Sequence, residues 1–95
     1  MNTPSTSLFV VTVAMTSGGA RADLLQMAST LHRRGAEVVE AELSKPAHGR
    51  RVFSATFRAT PRQAQTVLRS MEGLVDVVDA GLFEALDMRE TRVLA

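Results

Sequence analysis

The chain has no cysteine, tryptophan or tyrosine, and only two histidines and four phenylalanines among its 95 residues. Without thiolates it can build neither a disulfide framework nor the usual cysteine-based zinc site. His32 and His48 do not share a metal-type spacing, so neither a metal nor a cofactor is expected. Charge of one sign is lacking as well. Eleven basic and ten acidic residues scattered among each other give a formal net +1, which offers no footprint for a nucleic-acid backbone or an anionic membrane, and neither is expected as a partner. The apolar run at 8–15, LFVVTVAM, has no basic residue before it and is far too short to span a bilayer, so it reads as a buried strand. A cytoplasmic protein follows as the expectation. A chain of this length makes one domain that buries roughly 60–65% of its unfolded surface, and so small a core favours self-association.

What is present is organised around residues 60–82, TPRQAQTVLRSMEGLVDVVDAGL. Thr60 suits an N-cap, Pro61 the first helical position, and Gln63 stands three residues after the cap as in a capping box. Ala64, Val67, Leu68 and Met71 then recur at i, i+3, i+4 and i+7. This predicts a helix that buries Leu68 and Met71 under a sheet and stops at Gly73. Residues 74–80, LVDVVDA, are rich in β-branched side chains and too short for another helix, so they predict a strand.

Upstream, 8–15 places Phe9, Val11, Val13 and Met15 on one side of a central strand. Residues 16–19, TSGG, make a turn. A helix follows from about residue 21 to residue 34. Its stripe is Leu24, Met27, Ala28 and Leu31, with Asp23 at the positive end of the helix dipole, Arg33 and Arg34 at the negative end, and Gly35 at C′. Residues 36–43 carry three glutamates and read as an edge strand. Residues 45–49, KPAHG, make a hairpin connection. Residues 52–59 alternate, with Phe53, Ala55, Phe57 and Ala59 on one side, and Arg50, Arg51 and Arg58 are expected opposite Glu42, Glu40 or Glu37. The weakly patterned ends, 1–7 and 87–95, read as flexible, leaving a domain over 8–86. Strand, helix, strand, strand, helix, strand is the split β-α-β repeat of an α+β, ferredoxin-like fold: a four-stranded antiparallel sheet with two helices on one face.

The residues give catalysis no foothold. There is no Ser/His/Asp set with a local signature, and the carboxylates are spaced as edge-strand and surface charges. His32 near a helix end and His48 in a hairpin loop read as ordinary solvated imidazoles. Gly18-Gly19 alone does not make the arginine-bearing phosphate loop of acylphosphatases. The basic-aromatic strand at 51–57, RVFSATF, faintly suggests RNA-recognition motifs, but its phenylalanines fall on the core side, leaving no stacking platform.

Several features together carry a resemblance: an amphipathic helix with Leu24, Met27 and Leu31 before Gly35, then Val38, the strand at 52–59, and Thr60-Pro61-Arg62 leading into Leu74-Val75-Asp76-Val77. Over about residues 8–83 the chain resembles the ACT domain of acetolactate synthase regulatory subunits, closest to the short, single-domain type that accompanies the valine-insensitive enzyme. The resemblance implies a non-catalytic subunit without a cofactor of its own. Such a subunit dimerises side by side through its sheet and activates a large thiamine-diphosphate-dependent catalytic subunit of branched-chain amino-acid synthesis. It also implies an amino-acid site near Ala22, Asp23 and Glu37. Longer, valine-sensitive relatives have glycine at the Ala22 position and asparagine at the Glu37 position, and both departures imply that valine is not held. The alternative is a free-standing ACT domain that senses another small molecule or regulates a different enzyme.

Overall fold

The computed structural model describes residues 5–16 and 20–85. In chain order it forms β1 (Ser7–Thr16), α1 (Ala20–Arg33), β2 (Glu37–Leu43), β3 (Arg50–Ala59), α2 (Pro61–Glu72) and β4 (Val77–Glu84). The strands make one antiparallel sheet in the order β2-β3-β1-β4, and both helices contribute to a single core against it. This is the ferredoxin-like βαββαβ arrangement that the element order implies. Ser7, expected in a loose end, is the first residue of β1. Residues 1–4 of the expected flexible start, the turn residues 17–19, the domain bound at 86 and the end at 87–95 lie outside the described residues.

Strict alternation builds the two central strands. Phe9, Val11, Val13 and Met15 of β1, and Phe53, Ala55, Phe57 and Ala59 of β3, are all buried, as a period of two on one covered face requires. The register sets Phe9 beside Phe57, Val11 beside Ala55 and Val13 beside Phe53. The Phe9 and Phe57 rings stack with centroids 6.1 Å apart, within the range in which aromatic pairs attract beyond their area.

α2 begins as its sequence dictates. Thr60 Oγ1 accepts from the Gln63 amide at 3.1 Å, and Gln63 Oε1 accepts from the Thr60 amide at 2.9 Å, completing the capping box. Ala64, Val67 and Met71 are buried. Leu68, expected beside them, is only half-buried, because the line at i, i+3 and i+7 faces the sheet and Leu68 flanks it.

α1 is rotated from its expected orientation. Met27 and Leu31 are buried as expected, whereas Leu24 is 43% exposed and Ala28 is exposed. Their places are taken by Asp23 and Thr30, so the inward stripe reads Asp23, Met27, Thr30, Leu31. The Thr30 hydroxyl donates to the Gln26 carbonyl at 2.8 Å, which makes its burial inexpensive. The helix ends in a Schellman motif: Gly35 has φ +78°, its amide donates to the His32 carbonyl, and the Ala36 amide donates to the Leu31 carbonyl.

β2 and β3 are joined through a tight turn in which Ala47 and Arg50 exchange both backbone hydrogen bonds. His48 (φ 53°) and Gly49 (φ 74°) occupy its centre, the two positive φ values of a type I′ turn. Across this pair Glu37 faces Arg58 as expected, but Glu40 faces Thr56 and Glu42 faces Ser54. Arg50 instead registers with Thr16 and Arg51 with Met15, both on β1.

β4 begins later than its composition suggests. Leu74 to Asp76 form a turn, with the Val77 amide donating to the Leu74 carbonyl at 3.1 Å, and Val75 is 96% exposed. The strand then runs to Glu84, with a register shift between Ala14 and Met15 that leaves Val78 unpaired. That bulge lets Val77, Ala80 and Leu82 all pack against the core.

Candidate functional site

The polar centre of the molecule lies at the end of the sheet where β1 finishes and α1 begins. Asp23 stands one turn into α1, four residues before Met27 and on the same inward line, so its carboxylate is carried under the helix. Its side chain is 4% exposed, and Oδ2 lies 3.8 Å from Nε of Arg51. Arg51 reaches it because it extends the inward set of β3 by one step beyond Phe53. The same guanidinium donates from Nη1 to the Ser44 carbonyl at 3.0 Å, tying the β2 end of the hairpin to the site.

At 3.8 Å the two charges attract without a hydrogen bond, and Asp23 Oδ2 has no hydrogen-bond partner. A buried carboxylate oxygen is ordinarily satisfied, so this one is an unmet acceptor held beneath the helix and closed to solvent. The first turn of a helix supplies the opposite chemistry, since its leading backbone amides have no intrahelical acceptor and lie at the positive end of the dipole.

Ala22 is in that first turn, next to Asp23. Glu37, the third residue the sequence points to, opens β2 beyond the far end of α1 and is exposed. From Ala22 to the end of α1 the helix rises by about 17 Å. One chain therefore brings Ala22 and Asp23 together and keeps Glu37 apart; a ligand touching all three would have to lie between two copies. Arg51 is the residue that sequence reasoning assigned elsewhere. Its signal was parity: it is odd-numbered like Phe53, Ala55 and Phe57, and so points inward. Among the described residues no group of three or more His, Cys, Asp or Glu is placed to hold a metal ion, and no helix is long and apolar enough to cross a membrane.

By sequence the chain matches no protein-family model and no curated protein. By structure it is similar to the C-terminal domain of MgtC from Mycobacterium tuberculosis, with a TM-score of 0.70, 7% identity, and coverage of 90% of this chain and 94% of that one. It is similar as well to the ACT domain of GTP pyrophosphokinase from Chlorobium tepidum, with a TM-score of 0.69, 9% identity, and coverage of 83% of this chain and 100% of that one. Ribosomal protein S6 from Thermotoga maritima gives a TM-score of 0.69 at 10% identity over 95% of this chain and 97% of its own. At such identities the likeness is one of fold. The chain has the ferredoxin-like fold that ACT domains share with S6.

Proposed function

We propose that this chain is a regulatory ACT-type module, non-catalytic in itself, and more narrowly the small subunit of a cytoplasmic acetolactate synthase, whose thiamine-diphosphate-dependent catalytic subunit it binds and activates. The observation that carries the regulatory reading is the structural likeness over the full length of the GTP pyrophosphokinase ACT domain. A homoserine dehydrogenase from Thiobacillus denitrificans contains a similar region, with this chain covering 19% of it at a TM-score of 0.68, which fits an accessory part of a larger enzyme. The narrower reading rests on the sequence resemblance through Thr60-Pro61-Arg62 and Leu74-Val75-Asp76-Val77. In this reading two copies pair through β2, one of the two edge strands of the sheet.

Co-expression with an acetolactate synthase catalytic subunit tests it. Co-elution with raised activity supports the reading, and separate elution with unchanged activity refutes it. Valine is not expected to inhibit, since Ala22 adds a methyl where relatives bring bare backbone to the ligand and Glu37 replaces a neutral amide. Calorimetry should show no valine binding by the unaltered protein and a gain in the Ala22→Gly, Glu37→Asn double variant. The second reading is a free-standing module for another small molecule. Binding of a small molecule by the isolated protein, with no catalytic subunit present, would select it.

A further inference from the structure

Charges that nearly cancel over the whole chain are sorted by the fold. Among the described residues of the two helices and their ends, the exposed charges are Arg33 and Arg34 at the end of α1 and Arg62 and Arg69 along α2, against Glu72. Arg62, Gln65, Thr66 and Arg69 recur at i, i+3, i+4 and i+7, opposite the buried Ala64, Val67 and Met71, and line a shallow groove. The face of the sheet away from the helices is acidic. By register with the outward residues of β1 and β3 it carries Glu37, Glu40, Glu42 and Asp79, against Arg50 and Arg58.

The uncovered face also holds two hollows of different character. One, of about 100 Å³, is lined by Val10, Glu40, Glu42, Ser54 and Thr56. Two carboxylates there can accept from the fork of one guanidinium. The other, of about 310 Å³, is bordered by Ala14, Val52, Gly81 and Phe83. Phe83 is 58% exposed on this face, and Leu25 is 63% exposed on the helix layer, so each layer offers apolar surface as well as charge.

Like layers repel: a two-fold pairing of sheet face on sheet face would set carboxylates against carboxylates, and helix on helix would oppose guanidiniums. The mixed pairing sets the net-acidic layer against the net-basic one. We propose that the open face of the sheet docks the helix layer of a second copy of this chain, with Arg62 or Arg69 of one copy entering the Glu40–Glu42 hollow of the next. Such a contact is heterologous and joins copies head to tail. It differs in kind from pairing through β2, which aligns the glutamates of two identical strands against each other. Salt therefore separates the two: screening weakens the helix-to-sheet contact and relieves the repulsion in the strand pair.

Sedimentation velocity of the full chain at low and at high ionic strength tests this. The expected result is concentration-dependent association at low salt that falls away as sodium chloride rises. Glu40→Lys with Glu42→Lys, and separately Arg62→Glu with Arg69→Glu, should each sediment as the smaller species, with circular dichroism unchanged because all four side chains are exposed. An equimolar mixture of the two variants should associate again, since each supplies the surface the other needs. Association that strengthens with salt, a mixture that stays dissociated, or an unaltered chain that never self-associates at low salt would overturn the proposal. The co-expression and valine results bear on the regulatory reading alone.

Discussion

Asp23 and Arg51 meet under the first turns of α1 with Oδ2 and Nε 3.8 Å apart, and the carboxylate oxygen has no hydrogen-bond donor. Removing the arginine would leave a buried charge uncompensated, whereas removing both charges would not. Arg51→Met should lower stability by about 3–5 kcal/mol, and addition of Asp23→Leu should recover much of it. A urea-denaturation cycle on the four proteins measures the coupling. Equal losses in the single and double variants would show that Asp23 contributes nothing to that cost.

The two apolar residues near the end of α2 should respond unequally. Met71 is fully buried, so Met71→Ala should cost about 2–5 kcal/mol. Leu68 keeps part of its surface in water, and Leu68→Ala should cost about 1–2 kcal/mol, in proportion to the area it hides. Midpoints of chemical denaturation at unchanged m-value give the comparison.

The end of α1 and the start of α2 share a joint. A methyl placed on Gly35 would stand 3.0 Å from Nε2 of Gln63, the residue whose Oε1 caps the Thr60 amide. Gly35→Ala should therefore cost about 1–2 kcal/mol for its left-handed backbone and, in addition, disturb the cap of the other helix. The loss should be smaller in a Gln63→Ala background, as thermal unfolding of the pair would reveal.

At the hairpin, His48 adopts positive φ beside Gly49. Asparagine tolerates that region better, and Asn-Gly is the preferred pair for this turn. His48→Asn should stabilise the protein by up to about 1 kcal/mol, seen as a raised denaturation midpoint with the fold unchanged.

The sheet and the caps were legible because their signals are local. Alternation at 53–59 and the Thr60–Gln63 box each need only a few neighbouring residues, and both appear in the structure as the sequence implies. The rotation of α1 was not legible in that way. Leu24 and Asp23 compete for one inward place, and hydrophobicity favours Leu24; what decides for Asp23 is Arg51, nearly thirty residues later and carried inward by the parity of β3. The start of β4 was obscured for a similar reason, since Leu74-Val75-Asp76 has strand-like composition but is held in a turn by backbone hydrogen bonds to residues nearby. Glu37 fell apart from Ala22 because a helix of known rise lies between them. The sorting of charge by layer is invisible in a near-zero net charge, because it depends on which face each strand residue takes.

The bulges bear on how this chain can change over time. In β4 the ladder passes from Asp79 to Val77 with Val78 unpaired, and in β2 it passes from Val38 to Glu40 with Val39 unpaired. Elsewhere in a strand, loss of one residue would turn every side chain beyond it to the opposite face. At Val78 and Val39 the extra residue already lies outside the pairing, so its deletion leaves each neighbour on the face it occupies. These two positions are the gaps that a distant relative's strands can absorb, and an alignment that forbids a gap there would set inward residues against outward ones along the rest of β2 or β4.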